Sequence, residues 1–254
     1  MPNNITTFSD LARLKAQMLK ESPLSFFIGS MLAGAYVGIG IIFIFSAASP
    51  LPSEVQTLVL GATFAIALTL VVIAEAELFT GYAMYMTIGM VRKKINGKQL
   101  FSTWLVSWLG NLCGALVLVG VYILAKGYLF SHDELITQVA LKKINATPIQ
   151  LIAKGILCNW LVCLAIWMSK KVDSDMARLM VIFWCLFAFI TSGFEHSVAN
   201  MTLLSLAYFS PSSAVTLSDI AYNLLFVTTG NIIGGVVFVA LAYTKYIGPN
   251  CKTS

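Results

Sequence analysis

The chain has 254 residues, of which 58% are hydrophobic and only 11% are charged, and its formal net charge is +5. A water-soluble domain has roughly 45–50% apolar and about 25% charged residues, so this composition excludes a soluble globular protein of this size. It also excludes a disordered chain, and five cysteines are too few for a secreted disulfide scaffold. The sequence therefore predicts an integral membrane protein of the all-α class.

Long apolar runs divide the chain into six predicted membrane spans. A run of about 20 residues, at 1.5 Å per residue, crosses a hydrocarbon core of about 30 Å. The first run is too long for the apolar part of a signal peptide, so we expect it to remain in the mature protein. We predict a six-helix channel domain over residues 23–247, between an N-terminal segment (1–22) and a C-terminal tail (248–254). The predicted spans are 24–48, 55–73, 104–125, 149–168, 179–191 with a continuation to 209, and 220–243.

The distribution of Lys and Arg between the spans predicts the topology. Most of these residues fall in alternate connections, which the positive-inside rule assigns to the cytoplasm. Both termini are therefore predicted to be cytoplasmic. The cytoplasmic set is Arg13, Lys15, Lys20, Arg92, Lys93, Lys94, Lys98, Lys170, Lys171, Arg178, Lys245 and Lys252, and the opposite set is Lys126, Lys142 and Lys143.

Two apolar stretches are too long to be single membrane helices. As one helix, residues 55–91 would measure about 55 Å, and residues 176–209 nearly as much. Each contains carboxylates and a glycine near its middle: Glu75, Glu77 and Gly81 in one, Gly193 and Glu195 in the other. Non-helical backbone at membrane depth is tolerated only where protein or a wet cavity surrounds it. We therefore predict that helices two and five are interrupted.

The two predicted breaks occupy corresponding places in an internal repeat. The motif Gly110-Asn111-x-x-Gly114 of span three recurs in span six as Gly230-Asn231-x-x-Gly234. At the same offset Glu75 aligns with Glu195, and Gly34 aligns to within one residue with Gly155. Since three spans per copy is an odd number, the second copy must be inverted in the membrane. Paired broken helices in inverted 3+3 repeats point to a permeation site at the midplane.

Few ionisable groups fall within the apolar stretches, and each needs a reason because a charge in the bilayer is costly. The glutamates have a structural interpretation, as acceptors for backbone amides freed at the breaks. Glu75 is equally compatible with a solvated vestibule. Lys154 is near a helix end and is most simply read as reaching to the interface. His196, by contrast, lies at a break where a pore would pass, and we favour a functional role for it.

Several other kinds of site are not indicated. His196 lacks partners for a metal site, because the cysteines are scattered and the other histidine, His132, lies in a predicted loop. No nucleophile–base set, Walker loop or dinucleotide fingerprint is present. Lys142 and Lys143 fit either a solvated pair or an electropositive mouth that concentrates anions. We expect no cofactor, no metal, no enzymatic activity and no nucleic-acid partner.

Two motifs carry a resemblance to a known family. Residues 76–81 (AELFTG) and 192–201 (SGFEHSVANM) resemble signatures of the formate/nitrite transporter family. The resemblance extends from Pro23 to the Gly-Asn motif of span six. Residues 154–168 (KGILCNWLVCLAIWM) and the His196 segment through Leu203 are similar to the nitrite-channel branch in particular.

The resemblance implies an aquaporin-like protomer, a homopentamer with one pore per protomer, and passage of a small monovalent anion, nitrite, across the bacterial inner membrane. It makes His196 the central pore histidine and Lys143 the vestibule lysine. The other candidate pore residues are Thr80, Asn159, Asn200, Glu195 and Glu77, and the apolar constriction residues are Phe64, Leu68, Leu78 and Phe189. Lys20 lies near a second vestibule-lysine position but out of register, and Glu75 stands where the resemblance implies a small residue.

Alternatives remain open at this point. A sister-branch channel for formate or hydrosulfide would share these motifs, and a proton-coupled secondary transporter would share the inverted repeat. The N-terminal residues 5–19 show a loose amphipathic pattern that fits an interfacial helix or a cytoplasmic gate, and we favour the interfacial helix.

Overall fold

The protein is described here from a computed structural model, which covers residues 4–126, 133–211 and 214–247. All of its regular structure in these ranges is helical. Tail residues 248–254 and His132 lie outside the described residues. The helices are α1 (Asn4–Glu21), α2 (Pro23–Ala48), α3 (Ser53–Thr63), α4 (Ala65–Ile73), α5 (Phe79–Val91), α6 (Gly97–Lys126), α7 (Asp133–Ile144), α8 (Pro148–Ser169), α9 (Asp175–Thr191), α10 (Ser197–Phe209), α11 (Leu217–Ile233), a π-helical segment (Gly234–Leu241) and α12 (Ala242–Ile247).

Five helical stretches of the described chain are long and apolar enough to cross a membrane: Pro23–Ala48, Ser53–Ile73, Gly97–Ala125, Pro148–Ser169 and Leu217–Ile247. The prediction of an all-α chain with several membrane-spanning helices is confirmed. Between α8 and α11 the apolar chain forms two shorter helices, α9 and α10, instead of one long helix.

Local sequence signals set the starts of several helices. Proline is the first residue of both α2 and α8, where its missing N–H costs nothing. Thr147 and Gln150 form a capping box at the start of α8, and Thr216 and Asp219 form another at the start of α11. Ser174 caps α9 by accepting from the backbone N–H of Ala177.

Glycines allow the long helices to pack with their backbones in contact. A Cβ atom at Gly114 of α6 would overlap the carbonyl of Met31 in α2, and one at Gly234 would overlap the carbonyl of Ile156 in α8. These two glycines belong to the repeated Gly-Asn motifs, so the motifs mark the closest helix crossings. Small residues at such crossings are typical of helices that pack in a membrane.

Helix α1 differs from the interfacial helix that we favoured from the sequence. Its apolar residues Ile5, Phe8, Ala12 and Ala16 are buried. Phe8 stacks on the rings of Tyr85 and Trp167, 6.3 and 5.5 Å away. This face packs on the protein and is not free to enter lipid headgroups, so the interfacial interpretation is wrong.

Candidate permeation site

The non-helical chain between α4 and α5 turns sharply at Glu75. Glu75 adopts a left-handed conformation with φ 55°. The backbone N–H of Ala76 then returns to the carbonyl of Val71, at 3.0 Å, and the N–H of Glu77 donates to the carbonyl of Gly29 in α2, at 3.1 Å. The carbonyl ends of α4 are thus partly satisfied within the protein, as burial of a helix end requires.

The chain between α9 and α10 repeats this geometry. Gly193 is left-handed with φ 69°. The N–H of Phe194 returns to the carbonyl of Phe189, at 3.0 Å, and the N–H of Glu195 donates to the carbonyl of Lys154 in α8, at 3.3 Å.

The two asparagines of the repeated motif hold these breaks by equivalent hydrogen bonds. Asn111 accepts from the N–H of Phe79 at 2.9 Å and donates to the carbonyls of Ser30 and Glu77, at 2.7 and 3.0 Å. Asn231 accepts from the N–H of Ser197 and donates to the carbonyls of Gly155 and Glu195, all at 2.9 Å. Both asparagine side chains are fully buried.

This hydrogen bonding corrects the single offset that the sequence suggested. The structural counterpart of Glu195 is Glu77, since the backbone carbonyl of each accepts a hydrogen bond from a motif asparagine, and the counterpart of Glu75 is Gly193. Gly155 corresponds to Ser30, not to Gly34. The two copies differ in the lengths of their connections, so no single offset aligns them throughout.

Each buried glutamate is paired with a lysine from another helix. Lys143 of α7 lies 2.7 Å from Glu195, and Lys15 of α1 lies 2.5 Å from Glu77. Both carboxylates are about 4% exposed, whereas the lysines are 15% and 21% exposed. Lys20, which the family resemblance placed near a vestibule-lysine position, is exposed, and the lysine that pairs with Glu77 is Lys15.

His196 is buried at the start of α10 and touches the other break. Its Nδ1 accepts from the backbone N–H of Ala199 at 3.2 Å, which makes it the N-cap of α10. Its Nε2 lies 3.1 Å from the Oγ1 of Thr80 in α5. Because Nδ1 is an acceptor, the proton of the neutral ring is on Nε2 and is donated to Thr80.

Four apolar side chains enclose His196 in a narrow space. The four predicted constriction residues and the imidazole together line a void of about 10 Å³, with Val37, Ala67, Val162 and Leu186. Such a volume is on the scale of one water molecule. The rings of Phe64 and Phe189 meet edge to face, 5.7 Å apart, and Phe189 also stacks on His196 at 6.1 Å. The constriction residues are Phe64, Leu68, Leu78 and Phe189.

A larger cavity of about 220 Å³ lies on the other side of Phe189, and we call it the α7 cavity. Its charged and polar lining residues include Lys142, Lys143, Lys154, Glu195 and Asn200, and it extends to His196. Three lysines and His196 therefore line the same cavity.

The remaining sequence-predicted residues are buried and hydrogen-bonded. Asn200 donates to the carboxylate of Glu195 at 2.7 Å and to Asn223 at 2.8 Å. Asn159 donates to the backbone carbonyls of Thr80 and Asn231, at 3.1 and 2.6 Å. Asn200 therefore lies at the cavity, whereas Asn159 of α8 links the backbones of α5 and α11.

Sequence reasoning missed three contributors to this site. Lys15 was only counted among the cytoplasmic charges, and Asn223 and Tyr82 were not singled out. Tyr82 donates its hydroxyl to Glu77 at 2.5 Å, and Asn223 links Asn200 to the carbonyl of Lys143. The repeated motif did identify Asn111 and Asn231, but not what they bind. Within the described ranges, no three His, Cys, Asp or Glu side chains group as metal ligands.

Most of the chain matches a known protein family. The family model described as "Formate/nitrite transporter" matches residues 4–245. The chain belongs to the formate/nitrite transporter family. The resemblance seen in the sequence motifs is thereby confirmed, and the family is one of transporters and channels rather than enzymes.

Two curated relatives place the chain within the family. It is 48% identical over 235 residues to nitrite transporter NirC of Escherichia coli and to that of Salmonella typhimurium, which covers 92% of this chain and 86% of each relative. Formate channel FocA of Escherichia coli is 32% identical over 247 residues, with 88% of this chain and 86% of FocA covered.

Two solved channel structures are also similar to this chain. An FNT family ion channel superposes with a TM-score of 0.93 at 46% identity, covering 97% of this chain and 99% of that chain. A pentameric formate channel with formate bound gives a TM-score of 0.79 at 30% identity, covering 90% and 99%. The chain is a multi-pass membrane protein of this family.

Proposed function

We propose that the protein is a channel for nitrite in which His196 and four apolar side chains form the selective barrier. The observation that carries this proposal is the narrow apolar void at His196, with a partly buried Lys–Glu pair at each helix break. A histidine within an apolar constriction, approached through a cavity lined by lysines, suits a small anion that can also be protonated.

The relatives favour nitrite over other small anions. Identity to the nitrite transporters is 48%, against 32% to formate channel FocA. Formate or hydrosulfide is the second candidate substrate, supported by a solved structural relative, 30% identical, that is a formate channel.

The proposed mechanism begins with attraction at the α7 cavity. The ammonium groups of Lys142, Lys143 and Lys154 raise the local concentration of an anion. A bare anion cannot cross the ring of Phe64, Leu68, Leu78 and Phe189, because its transfer into such an apolar environment costs tens of kcal/mol.

Protonation makes this step feasible, because nitrous acid is neutral. The apolar ring favours the neutral form of any weak acid that enters it. At the ring, His196 donates its Nε2 proton to Thr80, so the hydroxyl hydrogen of Thr80 remains available to the permeant. In this mechanism His196 takes up a proton from the aqueous side and passes it to nitrite at the ring, which returns the imidazole to its neutral form. The neutral acid then crosses and releases the proton on the far side.

We further propose that the six-helix domain, residues 23–247, is an inverted 3+3 repeat. In this arrangement α3 to α5 form one interrupted span, and α9 with α10 form the other. The matching bonds of Asn111 and Asn231 support the repeat, because each asparagine joins the same three types of backbone group. The breaks then meet at the midplane, where His196 of one contacts Thr80 of the other.

The setting we propose is the bacterial inner membrane, with both termini cytoplasmic and the α7 cavity on the extracytoplasmic side. The bias of Lys and Arg supports this orientation. A homopentamer with one pore per protomer is supported by the pentameric structural relative. Residues 1–22 form a cytoplasmic segment docked on the channel domain, and 248–254 a cytoplasmic tail.

Reconstitution in liposomes tests the substrate. We expect rapid, saturable nitrite flux that exceeds formate and hydrosulfide flux at equal concentration. Flux of formate without nitrite would move the protein to the sister branch. A strict dependence of nitrite accumulation on an imposed proton gradient would instead favour a proton-coupled secondary transporter.

A further inference from the structure

Among the described residues, the lining of the α7 cavity includes a half-buried lysine, Lys154, whose charge no carboxylate offsets. Lys143 lies 2.7 Å from Glu195, so these two charges compensate each other. Lys142 is exposed, and water solvates its ammonium group. The ammonium group of Lys154 has no ion-pair or hydrogen-bond partner in the described part of the chain. The uncompensated charge within this cavity is therefore that of Lys154.

The one carboxylate in the described lining of the cavity, that of Glu195, is engaged elsewhere. It accepts from Lys143 and from the side-chain amide of Asn200, both at 2.7 Å. The backbone carbonyl of Lys154 accepts the N–H of Glu195 at 3.3 Å. This bond holds the lysine beside the second break but does not use its ammonium group.

A charge at the position of Lys154 is costly in a membrane helix. It is the seventh residue of α8, which starts at Pro148, so it lies about 9 Å from the start of the helix. The sequence alone suggested that this side chain reaches to the interface, whereas the structure places it in the lining of the α7 cavity. An ionisable group that lies within a span and faces a cavity typically belongs to a substrate or ion pathway.

The other half of the molecule has no side chain at the equivalent position. The backbone carbonyl of Gly29 accepts the N–H of Glu77, as that of Lys154 accepts the N–H of Glu195, so Gly29 and Lys154 are equivalent. A Cβ atom at Gly29 would lie 2.9 Å from the Cγ of Glu77, which leaves no space for a side chain. The arrangement that the two breaks share therefore does not require a lysine at this position.

The α7 cavity has space for an anion next to this charge. A void of about 10–15 Å³ already holds one water molecule, so a cavity of about 220 Å³ accommodates a three-atom oxyanion with several waters. Most of the other lining residues are apolar. The attraction between the ammonium group and an anion is therefore screened less than it is at an exposed lysine.

We propose that the ammonium group of Lys154 binds the permeant anion in the α7 cavity and holds it before it enters the apolar ring. This inference rests on the proposed function as an anion channel. It assigns different roles to two lysines of the cavity. Lys143 stays paired with Glu195 at the second break, and Lys154 determines the affinity for a small monovalent oxyanion.

Binding and crossing then depend on different properties of the anion. Lys154 recognises charge and size, and nitrate resembles nitrite in both. The apolar ring, however, passes only a neutral acid, because the transfer of a bare anion is too costly. Nitric acid is a strong acid and stays ionised. Nitrate should therefore occupy the site at Lys154 without crossing, and it should compete with nitrite from the α7 side.

The experiment measures the initial rate of nitrite uptake by right-side-out membrane vesicles that contain the full chain. Lys154→Gln should raise the half-saturating nitrite concentration about tenfold, because it removes a charged hydrogen-bond donor. The maximal flux should not fall, since the neutral acid in the ring does not depend on this charge. Nitrate should inhibit the wild type competitively, and Lys154→Gln should weaken that inhibition by the same factor.

Two further variants of the same residue separate charge from packing. Lys154→Met removes the charge but keeps the aliphatic stem, so it should match Lys154→Gln. Lys154→Arg keeps the charge and should stay within about twofold of the wild type. A lower maximal flux with an unchanged half-saturating concentration in the neutral variants would indicate a structural role and would overturn the inference.

Comparison with Lys142→Gln separates a binding site from general attraction. Lys142 has the same charge and lines the same cavity but is exposed, so its loss should raise the half-saturating concentration about twofold or less. Lys171→Gln, at an exposed position after α8, should leave it unchanged. Equal shifts for Lys142→Gln and Lys154→Gln would overturn the inference, as would nitrate inhibition that Lys154→Gln does not weaken. No saturable nitrite uptake by the wild type would instead overturn the proposed function itself.

Discussion

The carboxamide of Asn231 satisfies three buried backbone groups at once, so its loss leaves all three without a partner. Each such group costs about 1–3 kcal/mol. We expect Asn231→Leu to destabilise the protein by about 3–6 kcal/mol. Asn96 offers a matched control, because its side chain caps a helix at an exposed site, and Asn96→Ala should cost about 1 kcal/mol. Thermal unfolding in detergent measures both, and equal losses would show that water replaces the buried amide.

His196 has two roles that a substitution can separate. Asparagine is a good N-cap, so His196→Asn keeps an acceptor for the N–H of Ala199 but removes the titratable ring beside Thr80. We expect His196→Asn to fold, to pass nitrite, and to lose the pH dependence of that passage. Nitrite flux from about pH 5 to pH 8, the range in which histidine titrates, is the measurement.

His196→Phe is the complementary variant. It removes both the cap acceptor and the polar group that faces Thr80, and it replaces the imidazole that stacks on Phe189 with a larger apolar ring. We expect nitrite flux to fall to the level of empty liposomes. If His196→Asn instead keeps the wild-type pH profile, the proton comes from the vestibule and not from this imidazole.

Sequence reasoning reached most of these residues but not their partners. The break motifs led to His196, Glu77 and Glu195 because charged groups stand out in apolar runs. Lys15 was missed because it lies in a polar N-terminal segment, where one more charged residue does not stand out from its neighbours. The contact of His196 with Thr80 joins residues far apart in sequence, and no local pattern encodes such a distance.

At the level of elements, helix α1 depends on a glycine for its position. A Cβ atom at Gly89 of α5 would overlap the Cβ of Ala12, so the two helices meet without space for a side chain. We expect Gly89→Ala to loosen α1 and to increase hydrogen exchange of its amides. Gly97→Ala is the matched control, since nothing lies within 4 Å of that position. Equal exchange in both variants would mean that the other contacts of α1, such as the Lys15–Glu77 pair, hold the helix without this close approach.

The apolar runs predicted where the membrane helices begin and end better than they predicted how the shorter helices pack on them. The predicted start of the first span is one residue from that of α2, and its end is the same, because the length of apolar chain needed to cross a bilayer is fixed by thickness. Helix α7 was predicted as loop because it is short and carries Lys142 and Lys143. Helix α1 was assigned to the membrane surface because an amphipathic pattern does not reveal whether lipid or protein covers its apolar face.

At the scale of the molecule, the proposal that the two halves have opposite orientations rests on charge and on the repeat together. The Lys and Arg bias would by itself allow other span counts, and the repeat would by itself allow either orientation. The paired breaks support both arguments, because a motif asparagine binds each break in the same way and His196 at one break contacts Thr80 next to the other.

This orientation predicts which residues an impermeant thiol reagent reaches in intact cells. In a background with Cys113→Ser and Cys251→Ser, the remaining cysteines, Cys158, Cys163 and Cys185, are buried. We expect Lys142→Cys, in exposed α7, to react from outside the cell, and Lys171→Cys, after α8, to react only after the membrane is opened. Because α8 alone separates the two positions, labelling of both from the same side would require that α8 not cross the membrane. The proposed inverted repeat would then fail.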